Sequence, residues 1–134
     1  MNKPVVLIAD DEKGVRSTIS NFLKERYDCE FAEAKDGEEA VNFVKHHPCD
    51  VMILDIKMPK KCGITVIKET KDINPNIGIL VISAWISDDV SREAVEAGAI
   101  DYMVKPVDLR VISMKFSDAL LKKGYNVSKI LDSV

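Results

Sequence analysis

Cysteine is scarce in this 134-residue chain, and the three present, Cys29, Cys49 and Cys62, show no Cys-x-x-Cys spacing and no histidine at zinc-ligand intervals. That excludes a disulfide framework and a structural zinc site, and leaves the thiols as small apolar residues suited to a reducing compartment. Glycine and proline number only 6 and 5, too few for a collagen-like or low-complexity chain. No apolar run approaches the roughly 20 residues that cross a bilayer; runs such as Val51-Met52-Ile53-Leu54 are typical. The N-terminus lacks the small-residue cleavage site of a secretory signal, so a cytoplasmic location with no membrane partner is expected. Charge of one sign is also missing. Lys and Arg total 19 against 22 Asp and Glu, split 10 to 12 over residues 1–67 and 9 to 10 over residues 68–134. Neither half offers a face for direct nucleic-acid binding.

What is present is a chain that is 46% hydrophobic and 31% charged, long enough for one domain that buries roughly two-thirds of its unfolded surface. Short apolar runs alternate five times with longer amphipathic ones, the pattern of a parallel sheet covered by helices on both faces. The expected strands are 5–9, 29–32, 51–54, 79–82 and 102–104. Val15, Ile19, Phe22 and Leu23 fall at i, i+4, i+7 and i+8, one stripe of a helix. Shorter apolar patterns follow at Ala40, Val41 and Val44, at Ile64, Val66 and Ile67, and at Val90, Ala94, Val95 and Ala97. Asp36, Asp88 and Asp108 are placed to cap helices, and Gly98 and Gly124 to end them. The expectation is an α/β domain of (βα)5 form over residues 1–123, followed by a tail or short extra helix over 124–134.

In an open parallel sheet, ligands bind beyond the carboxyl ends of the strands. Here those ends carry Asp10 and Asp11, then Asp55, then Ser83, then Lys105 and Pro106. Three carboxylates converging on one crevice repel one another unless a cation sits among them, and a hard, oxygen-ligated ion such as Mg²⁺ meets that need. A hydroxyl and an ammonium opposite suit a phosphoryl group, and Asp55, central in the crevice, is a candidate nucleophile that could accept phosphate as a mixed anhydride.

The acidic pair in VVLIADDE, the LDIKMP segment around Asp55 with Gly63 eight residues on, the SAW segment at Ser83 and the YMVKP segment at 102–106 resemble the receiver domain of two-component response regulators. The resemblance covers residues 4–121. It implies a doubly wound, flavodoxin-like sheet of order 2-1-3-4-5. It also implies that Asp55 is phosphorylated by a sensor histidine kinase or a histidine phosphotransfer protein. Asp10, Asp11 and Asp55, with the backbone carbonyl of Lys57, would hold Mg²⁺. Lys105 would contact the phosphoryl oxygens across a cis Lys105–Pro106 bond, Ser83 would be the switch hydroxyl and Tyr102 the switch aromatic. Ala84 would be the small residue that leaves the site open. The surface of the fourth helix, fifth strand and fifth helix would change on phosphorylation and be read by a downstream protein or a second copy of the chain.

Several residues depart from the common pattern. Lys60 and Lys61 make the loop after Pro59 basic, and read as solvated charges near carboxylates. Lys57 and Trp85 flank the site, where each could affect the lifetime of a phosphoaspartate. Cys62 has no adjacent base, and His46 and His47 suit the end of the second helix, where a cation complements the helix dipole. On the fifth helix Leu109, Ile112, Phe116, Ala119 and Leu120 form a core stripe, while Val111, Met114 and Leu121 lie on nearly the opposite side. That second apolar side calls for a dimer mate, the tail or an output domain. The leading expectation is a stand-alone, non-enzymatic phosphoacceptor. Its rivals are the amino-terminal receiver of a larger regulator, a receiver acting only as a binding module, and an aspartyl-phosphate phosphohydrolase. The last is disfavoured because Lys57 stands where such enzymes carry a second acid.

Overall fold

The structure, a computed structural model, describes residues 3–84 and 87–125. Expectations on Trp85 and on the tail beyond 125 lie outside the described residues. Strands and helices alternate as β1 (Val5–Ala9), α1 (Lys13–Lys24), β2 (Glu30–Ala34), α2 (Gly37–His46), β3 (Val51–Asp55), α3 (Gly63–Ile73), β4 (Gly78–Ser83), α4 (Asp88–Ala97), β5 (Asp101–Val104) and α5 (Leu109–Lys122). The strands form one parallel sheet in the order β2-β1-β3-β4-β5. Among the described residues no helix is long and apolar enough to cross a membrane.

Period-two alternation along the central strands divides the core in two. Leu7, Ala9, Met52, Leu54, Ile79 and Val81 face the layer of α2, α3 and α4. Val6, Ile8, Val51, Ile53, Leu80 and Ile82 face α1 and α5. Because both faces are covered, β1, β3 and β4 are apolar almost throughout, which is why they stand out in the sequence as unbroken runs. Edge strand β2 does not: it runs from Glu30 through Ala34 rather than over 29–32, with Glu33 exposed on the open edge. Its last carbonyl, of Ala34, receives the Asp10 N–H at 3.1 Å, so the extension ties β2 to the end of β1.

Asp36 and Asp108 cap α2 and α5 by accepting backbone N–H groups of the first turn. Asp88 does not cap α4. Ser87 does, accepting from Val90 N–H at 3.2 Å, and Asp88 lies inside the first turn, where its charge still complements the helix dipole. Val95 is 51% exposed, leaving Ala94 as the fully buried residue of α4. On α5, Ile112, Phe116, Ala119 and Leu120 are buried while Leu109 is half-buried. Met114 and Leu121 are more than half exposed on the other side and Val111 is half-buried. Tyr27 closes the α1 end of the core, its ring edge-on to Phe116 at 4.9 Å and its hydroxyl within 2.8 Å of Ser113 Oγ.

The loop from β3 to α3 is held by a close backbone approach. Gly63 donates its N–H to the Ile56 carbonyl at 3.0 Å, and a Cβ there would lie 2.5 Å from Ile56 Cα. Gly63→Ala should therefore lower stability by about 1–3 kcal/mol. Gly14→Ala, on a helical residue with open space around it, should be neutral or raise stability by up to about 1 kcal/mol. Urea unfolding of the two variants checks the contrast.

Candidate functional site

The parallel register brings the ends of four strands to one edge. Ala9 pairs with Leu54, Asp55 with Ile82 and Ser83 with Val104, so Asp10, Asp55, Ser83 and Lys105 follow one another along the top of the sheet. The Lys105 N–H reaches the Ser83 carbonyl at 2.7 Å, and the Lys105–Pro106 bond is cis. Asp10, Asp55 and Ser83 are buried; Asp11 is exposed at the rim.

Lys105 is the hub. Its Nζ lies 2.9 Å from Asp10 Oδ2, 3.1 Å from Asp55 Oδ2 and 3.3 Å from Glu12 Oε1. The other oxygen of each buried carboxylate is satisfied by main chain: Asp55 Oδ1 accepts from Lys57 N–H at 3.0 Å, and Asp10 Oδ1 from Glu12 N–H at 2.8 Å. Burial pushes the Asp55 carboxyl above the usual range. The Lys57 N–H and the Lys105 ammonium pull it back, and the Asp10 charge adds to the rise. Burial acts to lower Lys105, but the adjacent Asp10 and Asp55 carboxylates outweigh that and hold it above the ordinary lysine value.

One ammonium does not balance the acids around it. Asp10, Asp11 and Asp55 can each direct an oxygen to a common point, those oxygens lying within 4.8 Å of one another. Asp10 Oδ2, fully buried, sits against the ammonium but makes no aligned hydrogen bond. A cation with oxygen ligands fits both facts: it would neutralise the crowded carboxylates and complete the buried oxygen.

Two supporting residues carry no sequence signal of their role. Arg16 donates through Nη1 to the Asp10 carbonyl at 2.7 Å while its Nε is held by Glu33 at 3.0 Å, so α1 and β2 together fix the backbone that presents the acidic pair. Glu12 adds the third carboxylate at Lys105. The DDE run and an arginine four residues after Glu12 were visible, but one turn of helical spacing says nothing about a contact across 93 residues.

The other marked residues occupy plainer positions. Tyr102 is 41% exposed on β5 and, with Val104, Val107 and Val111, lines a surface groove beside α5. Lys60 lies 3.7 Å from Asp36 and Lys61 2.7 Å from Glu69, so both offset carboxylates. Cys62 is exposed at the start of α3. Burial pushes the thiols of Cys29 and Cys49 up to about 12, where they are unreactive at neutral pH. His46 and His47 close α2; the His46 ring lies 2.9 Å from the Asn42 carbonyl, and His47 stacks on Phe43.

Against known proteins, the family described as the response regulator receiver domain matches residues 6–117. The transcriptional regulatory protein ZraR of Klebsiella oxytoca is 31% identical over 128 residues, covering 96% of this chain and 29% of that protein. The transcriptional regulatory protein PdtaR of Mycobacterium tuberculosis is 39% identical over 106 residues, covering 78% of this chain and 50% of that protein. The chain thus spans half or less of the length of these relatives. A chain in the co-crystal structure of the Saccharomyces cerevisiae histidine phosphotransfer signaling protein Ypd1 and the receiver domain of its downstream response regulator Ssk1 superposes with a TM-score of 0.84. It is 26% identical, with 92% of this chain and 93% of that one covered.

The raised Asp55 pKa carries a sign. A carboxyl titrating higher in the folded than in the unfolded state adds stability only while protonated, and that contribution is lost as pH rises through the folded value. In chelator at pH 7, Asp55→Asn should therefore melt at a higher temperature than the native chain, and the gap should shrink as pH falls into the carboxylate range. Thermal melts from pH 7 down to pH 4 measure it.

Proposed function

Since the chain belongs to the response regulator receiver family, we propose that Asp55 is its phosphoacceptor, taking a phosphoryl group from a histidine of a sensor kinase or of a phosphotransfer protein. The observation that carries this reading is the placement of Asp55: buried, with one oxygen fixed by the Lys57 N–H and the other against Lys105. An Asp55 oxygen attacks phosphorus, the P–N bond to the donor imidazole breaks, and its electron pair stays on that nitrogen, which takes up a proton. Lys105, already beside the attacking carboxylate, neutralises the phosphoryl oxygens as they arrive. Ser83, on the neighbouring strand end, supplies a hydroxyl to the same group.

Asp10, Asp11 and Asp55, with the Lys57 backbone carbonyl, are the residues that would hold Mg²⁺. When bound, the ion supplies charge neutralisation for the carboxylates and the phosphoryl group. The chain then acts as a phosphoacceptor that assists its own phosphorylation and dephosphorylation, rather than as an enzyme turning over an external substrate. Lys57, in place of a second acid, argues against a phosphohydrolase.

The surface that reports the change is α4-β5-α5. Tyr102, Val104 and Met114 are exposed there, and a shift of Ser83 toward the phosphoryl group frees room for the Tyr102 ring to turn inward. Its reader is a downstream protein or a second copy of the chain, and not nucleic acid. On this reading residues 1–123 are the receiver, 124–134 are a tail or short extra helix, and the receiver works in the cytoplasm. The greater length of the relatives favours, as a second reading, the receiver part of a larger regulator with an output domain.

Acetyl phosphate with Mg²⁺ should add one phosphoryl group, read by intact mass, and Asp55→Asn should abolish it; retained labelling in that variant would overturn the assignment. Lys105→Ala should slow labelling by about 10²-fold or more, the scale on which a single preorganised charge acts. Mg²⁺ should raise the melting temperature of the native chain, by an increment that grows with concentration as linkage requires and that Asp10→Asn diminishes.

A further inference from the structure

Glu12 is the N-cap residue of α1, a position where shorter side chains such as Ser, Thr, Asp or Asn accept a backbone N–H of the first turn. It makes no such bond. Its main chain is held on both sides, the N–H by Asp10 Oδ1 at 2.8 Å and the carbonyl by Arg16 N–H at 3.1 Å. The side chain, 65% exposed, turns away from the helix and brings Oε1 to 3.3 Å from Lys105 Nζ. Both residues border the groove between α1 and the segment after β5, which is otherwise lined by uncharged residues such as Val15, Thr18, Pro106 and Val107. Anything that approaches Lys105 along that groove passes a negative charge.

Three carboxylates crowd this one ammonium, each within 3.3 Å of Nζ. Asp10 is buried and Asp55 is the acceptor, so neither can withdraw when a phosphoryl oxygen arrives at Asp55 and needs a bond from Lys105. Glu12 is exposed, mounted on a side chain with room to swing, and can. We propose that Glu12 occupies Lys105 in the unphosphorylated chain, is displaced by the incoming phosphoryl group, and by its charge at the mouth makes the site selective against small anionic phosphoryl donors. A protein donor that sets a cationic side chain at the groove removes the penalty by pairing with the displaced carboxylate. Glu12 is thus a specificity-determining residue for the same site, and the inference rests on Asp55 as acceptor.

The test is self-phosphorylation by acetyl phosphate, in which the P–O bond to acetate breaks, acetate leaves with the electron pair, and a P–O bond to Asp55 forms. At saturating Mg²⁺, so that any loss of metal affinity is masked, Glu12→Gln should lower the apparent KM for acetyl phosphate roughly threefold or more. The maximal rate should change less, and the melting temperature of the variant should match the native one. The gap in KM should narrow as salt is added, because long-range repulsion of the donor is screened within about 10 Å at 0.1 M ionic strength. An unchanged or higher KM in Glu12→Gln overturns the proposal. Labelling of the native chain that survives in Asp55→Asn overturns the acceptor assignment instead, and the role of Glu12 with it.

Discussion

The structure turns on a single cation shared between buried acids. Lys105 is in contact with Asp10 and Asp55, and without it two carboxylates would be buried side by side. Carboxylate oxygens within 4.8 Å of one another repel by about 3 kcal/mol per pair at the effective dielectric of a protein surface, and by more where water is excluded. The Lys105 ammonium relieves part of that repulsion. A fold optimised only for stability would not retain such an arrangement, whereas acids grouped in this way could hold a metal ion.

The sheet is what makes the crowding possible. Parallel strands place their carboxyl ends at one edge, where the register sets Asp10 level with Asp55 and places Ser83 one residue and Lys105 two residues further along. Residues one step earlier on the same strands, such as Ala9, Leu54 and Ile82, are buried in the two apolar layers. The chemistry therefore begins where the core stops. The connecting segments have contacts of their own: Gly63 lies against the Ile56 backbone, and Arg16 ties the Asp10 carbonyl to Glu33 on β2.

Stability and function pull on different parts of the molecule. Both apolar layers pack continuously from strand to helix, and they supply the stabilisation against which carboxylate repulsion at the sheet edge is tolerated. The last strand and the last helix, β5 and α5, carry exposed apolar residues, Val104 and Met114 among them. An interaction surface is the common meaning of such a patch.

The sequence alone determined the element order, the alternation of β and α, and the acids, hydroxyl and lysine at the strand ends. Strands buried on both faces are apolar throughout, and the polar residue that ends each one stands out by contrast. It did not reveal the extent of β2, where an edge strand mixes Glu33 with Ala34, nor the capping of α4 by Ser87 in place of Asp88, since adjacent capping residues compete by local geometry. Only the tertiary structure decided that Glu12 reaches Lys105 and that Arg16 reaches the Asp10 carbonyl. Hydrophobic period reports which side of an element faces the core, a local property. Which charged groups meet depends on how distant elements are set against one another, and nothing in the spacing of residues along the chain encodes that distance.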